Sequence, residues 1–152
     1  MRFFLVLGSA IGVTLLAGCS DISGGGELQV TLDEWSITLD KTSLPEGPIE
    51  LTIKNDGELE HDLVIVRTDL DPDELPTEDD GSVDLGAPDV EEEHTIEDIE
   101  DGDETGRTYD LDPGNYVFID NRVEEVDGEE VAYYSQGMRV GFTITEENES
   151  TD

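Results

Sequence analysis

Apolar and polar residues alternate with a period of two along much of the chain, a pattern typical of half-buried β-strands. The alternation is clear over residues 28–32, 35–39 and 49–53, and two further strands are predicted at 115–119 and 138–145. Residues 62–66 differ because four of the five are apolar, which indicates a central strand packed on both faces. Almost no helical periodicity is present. The pattern therefore predicts an all-β fold, a β-sandwich with Greek-key connections.

A long acidic region interrupts the strands at residues 69–105. It contains Pro72, Pro76 and Pro88 and little periodic apolar patterning. Such a length inside a compact domain predicts a functional or disordered excursion, here a solvated loop with a short strand or helical turn at 95–100. The polar tail, residues 146–152, is predicted to be disordered. It contains the sequon Asn-Glu-Ser, with Asn148 as a candidate glycosylation site.

The N-terminus predicts a secreted, lipid-anchored protein. Arg2 precedes an apolar run over 3–15, which is too short to span a bilayer. The sequence Leu-Ala-Gly-Cys at 16–19 then resembles a lipobox, so residues 1–18 are interpreted as a lipoprotein signal peptide. Cys19 would be the lipidated first residue, and 19–27 a flexible spacer to a domain over 28–145. The alternative is an ordinary secretory signal with an incidental Cys19, the only cysteine of the chain.

The net charge of the chain indicates which solvent conditions suit it and which partners it can bind. Asp and Glu number 41 against 7 Lys and Arg, a formal net charge of −34. Nucleic acid is therefore excluded as a partner. Concentrated salt would screen the self-repulsion of this surface, and the composition resembles that of proteins from extreme halophiles, such as a halophilic archaeon. An anionic membrane would repel the domain, so the lipid would provide the membrane attachment at the extracytoplasmic face.

Three segments, in order, resemble the cupredoxins, the blue-copper family of plastocyanin and azurin. Residues 43–53 resemble the strand that leads into an Asn-x-Gly turn. Residues 55–65 contain Asn-x-Gly-x-x-x-His, which ends at His61. Residues 111–138 read Pro-Gly-x-Tyr-x-Phe, then a longer loop that closes on Tyr-x-x-Gly-Met. The resemblance spans residues 28–145 and implies a cupredoxin-like Greek-key β-sandwich.

The resemblance also implies a copper site in which two ligand positions are changed. His61 and Met138 match ligand positions, whereas Asp120 takes the position of the cysteine and Tyr133 that of the second histidine. A blue site needs two histidines and a thiolate, so the predicted copper site is degenerate. In one interpretation the four residues bind Cu(II) or Zn(II) through nitrogen and oxygen. In the other, Asp120 accepts a hydrogen bond from Tyr133 or His61, and His61 and Asp120 favour each other's charged form.

No catalytic constellation is visible in the sequence, so we do not expect an enzyme. The leading hypothesis is a lipid-anchored, extracytoplasmic cupredoxin-like binding or interaction domain that has lost its type 1 copper and carries no cofactor. The alternative is a copper-binding protein, either a non-blue electron carrier or a copper carrier, using His61, Asp120 and Met138. The expected partners are the membrane, through the lipid, and a redox or envelope protein.

Overall fold

The computed structural model describes residues 24–146, which form a two-layer β-sandwich. Within this range the elements are β1 (Gly26–Asp33), β2 (Ser36–Leu39), β3 (Ser43–Pro45), β4 (Gly47–Asn55), β5 (His61–Arg67), β6 (Glu91–Ile99), β7 (Glu104–Leu111), β8 (Gly114–Ile119), β9 (Val123–Val126), β10 (Glu129–Ala132), α1 (Tyr133–Gln136) and β11 (Arg139–Thr145). One sheet has the order β2-β1-β4-β7 and the other β3-β11-β8-β5-β6, and β9 and β10 form a separate hairpin. The predicted all-β sandwich is confirmed.

The main core lies between the two sheets and follows the alternation of the sequence. On β4 every second residue from Ile49 to Asn55 is buried, and the residues between them are exposed. Leu63 and Ile65 of β5 face this core together with Phe118 of β8. Apolar burial of this kind contributes about 25 cal/mol for each Å² removed from water, so these strand faces stabilise the sandwich.

A second core covers the outer face of β5 and β8, and the prediction of a solvated loop over 69–105 is wrong on this point. Residues 68–90, here called the strap, place Leu75, Val83 and Val90 against Val64 of β5 and its neighbours. Strand β6 is also longer than the stretch predicted at 95–100, because it pairs with β5 from residue 91 onward. Strand β5 is thus buried on both faces, as its apolar sequence predicted.

The predicted spacer 19–27 also ends earlier than expected. The Gly25 amide donates to the Glu46 carbonyl oxygen at 2.8 Å, and Gly26 pairs with Ile49 at the start of β1. Cys19 and Asn148 lie outside the described residues. Between residues 24 and 146, no helix has the length and hydropathy needed to cross a bilayer.

Candidate functional site

The four residues singled out by the sequence meet at one end of the sandwich. His61 begins β5, Asp120 follows β8, Tyr133 begins α1, and Met138 immediately precedes β11. The Asp120 amide donates to the Met138 carbonyl oxygen at 3.1 Å, and the Met138 amide donates to the Tyr133 carbonyl oxygen at 3.2 Å. All four side chains are completely buried. The backbone therefore brings together residues that are up to 77 positions apart (138 minus 61).

The loop that leads to His61 is fixed by a buried amide side chain. Asn55 Nδ2 donates to the carbonyl oxygens of Leu59 at 2.8 Å and Ile99 at 2.9 Å. Its Oδ1 accepts the Gly57 amide at 2.9 Å. Asn55 thus uses both donors and an acceptor lone pair. These bonds replace the hydrogen bonds to water that a buried amide side chain loses. The Asn-x-Gly pattern found in the sequence is therefore the structural support of the segment that ends at His61.

His61 and Asp120 form a buried hydrogen-bonded pair. Nδ1 of His61 lies 2.8 Å from Oδ2 of Asp120. The same oxygen accepts the Asp62 amide at 3.2 Å, and Oδ1 accepts the Arg122 amide at 3.0 Å. Because Asp120 accepts at both oxygens, this pattern assigns the shared proton to His61 Nδ1. Nε2 of His61 is also buried, and it has no hydrogen-bond partner within residues 24–146.

Burial dominates the titration of Asp120. It raises the pKa of the carboxyl group, because removing the carboxylate from water disfavours its charged form. The hydrogen bond from His61 and the two backbone amides lower the pKa, but they do not cancel the effect of burial. The expectation that His61 would favour the ionised form of Asp120 is met in direction. The net shift of the Asp120 pKa is nevertheless upward, because burial has the larger effect.

Tyr133 does not bond to Asp120, which was one of the two alternatives drawn from the sequence. Its hydroxyl donates to Glu124 Oε2 at 3.0 Å. Its ring packs edge-on against Trp35 and His61, with ring centroids 5.2 Å and 5.5 Å apart. Burial raises the pKa of Tyr133, and donation to the Glu124 carboxylate raises it further. A phenolate is therefore strongly disfavoured at this position.

Arg122 organises the acidic rim beside the pair, and the sequence analysis missed it. Its guanidinium pairs with Glu60 at 2.5 Å, with Asp62 at 3.3 Å and with Glu124. These hydrogen bonds and charges outweigh the opposing effect of burial and raise the pKa of Arg122. Arg122 in turn is the main cause of the lowered pKa of Glu124. A scarce cation two residues after Asp120, in a chain with 41 acids, was the signal available in the sequence.

The donors present do not fit a type 1 copper centre. The described residues contain no cysteine, and both oxygens of Asp120 already accept hydrogen bonds. The hydroxyl of Tyr133 is committed to Glu124. Across residues 24–146, no group of three or more His, Cys, Asp or Glu side chains has an arrangement that could hold a metal. The imidazole Nε2 of His61 and the thioether of Met138 are left as candidate donors, which is short of the trigonal His2Cys set.

The stretch from Asn121 to Arg139 also holds the strap in place. Asn121 makes two hydrogen bonds with the backbone of Val83, at 2.6 and 3.1 Å. The hydroxyl of Ser135 donates to the Gly81 carbonyl oxygen at 2.6 Å, and Arg139 pairs with Asp73 at 2.5 Å. The segment that would supply copper ligands in a cupredoxin thus contributes hydrogen bonds and an ion pair that attach the strap to the sandwich.

Comparison with solved structures identifies the architecture. A structure of dithionite-reduced auracyanin from Roseiflexus castenholzii has a TM-score of 0.51 and 22% identity, and the alignment covers 80% of this chain and 96% of that one. Auracyanin B has a TM-score of 0.48 and 19% identity over 79% of this chain and 88% of its own. Reduced rusticyanin has a TM-score of 0.47 and 14% identity over 78% and 79%. No family model matches the sequence, and no curated protein matches it significantly. The likeness to the first of these structures, together with the observed sheets, establishes the fold as a cupredoxin-like β-sandwich.

Proposed function

We propose that this chain is a lipid-anchored, extracytoplasmic interaction domain in which a polar pair replaces the type 1 copper of its fold. The proposal depends on one observation, the buried hydrogen bond of 2.8 Å between His61 Nδ1 and Asp120 Oδ2. A proton shared by the pair occupies the space between two former ligand positions. The protein would therefore act by binding a partner rather than by one-electron transfer.

The energetics of the pair support this proposal. A metal ion that bound Oδ2 of Asp120 would compete with the hydrogen bonds from His61 and the Asp62 amide, and one that bound Oδ1 would compete with the Arg122 amide. Each buried donor left without an acceptor costs about 1–3 kcal/mol, so the polar network resists metal entry. Two strong ligands, His61 and Asp120, do not provide the four bonds that normally repay such a cost.

The sequence supports the cellular address. The lipobox ends at Cys19, and the acidic surface suits an exposed domain in concentrated salt. We place the domain at the extracytoplasmic face of the cell membrane, with an envelope protein or a redox protein as its partner. None of the residues discussed forms a nucleophile–base pair open to a substrate, so the proposed role is not enzymatic.

Copper titration of the mature chain in concentrated salt tests the proposal. We expect weak, non-stoichiometric binding and no intense visible absorption. Tight 1:1 binding that disappears in His61→Ala and weakens in Met138→Leu would instead support the alternative, a non-blue copper protein. Met138→Leu is the milder variant, because it keeps the volume of the side chain while removing the sulfur.

Restoring the ligands tests the assignment of positions independently. The double variant Asp120→Cys, Tyr133→His recreates the thiolate and the second imidazole beside His61 and Met138. We expect it to bind Cu(II) with an intense visible band, which the thiolate supplies. A folded but colourless double variant would mean that these positions are not the former ligand positions.

A further inference from the structure

The chain is fixed to the fold from Gly25 onward, through contacts that only glycine permits. The Gly25 amide donates to the carbonyl oxygens of Glu46 at 2.8 Å and Pro45 at 3.2 Å. A Cβ on Gly25 would lie 2.1 Å from the Pro48 carbonyl oxygen, and one on Gly47 would lie 2.7 Å from the Gly25 nitrogen. Both residues have positive φ, +70° and +129°. The two backbone segments therefore touch directly, and Gly25 is an attachment point rather than part of a loose spacer.

This attachment point lies at the end of the sandwich opposite His61. In the parallel pairing of β1 and β4, Gly26 lies beside Ile49 and Leu32 lies beside Asn55. Trp35 follows in the turn after β1, and its ring contacts Tyr133 at the His61 end. Gly25 and Asp33 are eight residue steps apart, which corresponds to about 26 Å at about 3.3 Å per residue. Gly25 and Trp35 therefore mark the two ends of the molecule.

We propose that a lipid on Cys19 holds the Gly25 end next to the bilayer and prevents the His61 end from turning to face it. The inference rests on the proposed lipid anchor. Six residue steps connect Cys19 to Gly25, and even a fully extended chain spans about 22 Å over that number. An inverted domain would need Gly25 to stand about 26 Å or more above the membrane surface. The tether is too short for that orientation.

The orientation defines the surface that partners can reach. The end directed away from the bilayer carries Trp35, the Arg122 cluster and the β9–β10 hairpin. This is the outer surface of the candidate site, and it faces the aqueous phase. Its partner is accordingly a soluble or envelope protein that approaches from outside, and not a lipid or the bilayer face of an integral membrane protein.

The native tryptophan provides a direct test, because Trp35 is the only tryptophan in the chain. The chain beginning at Cys19 is coupled through its single thiol to a maleimide phospholipid in phosphatidylcholine vesicles, in concentrated salt. A second protein carries Trp35→Phe and Asp112→Trp, which moves the reporter to the Gly25 end, where Asp112 follows Leu111, the partner of Gly47. With a quencher on the lipid headgroups, we expect Asp112→Trp to be quenched several-fold more strongly than Trp35.

Equal quenching of the two reporters, or stronger quenching of Trp35, would overturn the proposed orientation. A matched protein with a long Gly/Ser insertion after Ser23 should reduce the contrast between the reporters. A contrast unaffected by the insertion would mean that tether length does not set the orientation. Chemical coupling makes this test independent of natural lipidation. Mass spectrometry of Cys19 in the native envelope tests the proposed anchor separately.

Discussion

Replacing Tyr134 with phenylalanine removes the two hydrogen bonds that connect its side chain to the strap. The hydroxyl donates to the Pro72 carbonyl oxygen at 2.7 Å and accepts the Leu75 amide at 3.2 Å. Both partners lie in residues 68–90, which cover the outer face of β5 and β8. The apolar ring stays in the second core, so Tyr134→Phe isolates the contribution of the hydroxyl.

The cost of the substitution follows from the surroundings of each partner. Leu75 is only 5% exposed, so its amide would be left without an acceptor, at a cost of about 1–3 kcal/mol. Pro72 is half-buried, and water can hydrate its carbonyl oxygen at little cost. We therefore expect a loss of about 2 kcal/mol in the free energy of unfolding. For a domain of this size that lowers Tm by about 8 °C.

Urea unfolding in concentrated salt measures the global loss, and hydrogen exchange at the Leu75 amide measures the local one. Tyr116→Phe is the matched control, because its hydroxyl makes one bond, at 2.7 Å, to the carbonyl oxygen of Asp112. Asp112 is exposed, so the control should lose at most about 1 kcal/mol. A Tyr134→Phe protein as stable as the control, with unchanged exchange at Leu75, would refute the view that this hydroxyl fixes the strap.

Two further predictions concern the candidate site. Gly137→Ala should destabilise the fold by about 2 kcal/mol or more, because φ is +129° and the new Cβ would lie 2.7 Å from the Trp35 carbonyl oxygen. Gly128→Ala, with φ +87° and open space around it, should cost about 1 kcal/mol in the same thermal unfolding assay. The pKa of Asp120 in the folded chain is raised above its ordinary value of 3.8. At a pH above 3.8 the folded chain therefore binds more protons at Asp120 than the unfolded chain does, and the contribution of Asp120 to stability falls as the pH rises. Unfolding measured as the pH is raised from 3.8 should show the wild type losing stability relative to Asp120→Asn. A wild type that gains stability relative to the variant would contradict the raised pKa of Asp120.

Much of the sandwich could be predicted because its strands are amphipathic or wholly apolar. The strap could not be predicted in this way, since Leu75, Val83 and Val90 are widely spaced on an irregular chain and acquire partners only from distant strands. The β9–β10 hairpin was also not predicted, although the sequence contains a local signal for it. Asp127 and Gly128 both have positive φ at its turn, and Asp-Gly is a strong local signal for a two-residue hairpin.

The candidate site was predicted in position, and the contact between His61 and Asp120 was one of the two alternatives, but the partner of Tyr133 was not predicted. Family spacing was sufficient to bring His61 and Asp120 together at the end of the sandwich. The bond from Tyr133 to Glu124 depends on the β9–β10 hairpin, which returns the chain so that Glu124 pairs with Val131. No periodicity specifies which of many acids meets a given hydroxyl. Contacts of this kind are set by three-dimensional packing and are the part of the site that sequence patterns do not encode.

Asp120 and Tyr133 are each stabilised by different neighbours, and this determines which substitutions a copper site at these positions would need. A cysteine at Asp120 alone would leave the amides of Asp62 and Arg122 without a carboxylate acceptor. A histidine at Tyr133 alone would remove the hydroxyl that donates to Glu124. Each single change therefore loses buried hydrogen bonds without completing a ligand set, and only the pair of changes offsets that loss with metal binding. The polar network thus separates the observed site from a copper site by at least two simultaneous substitutions.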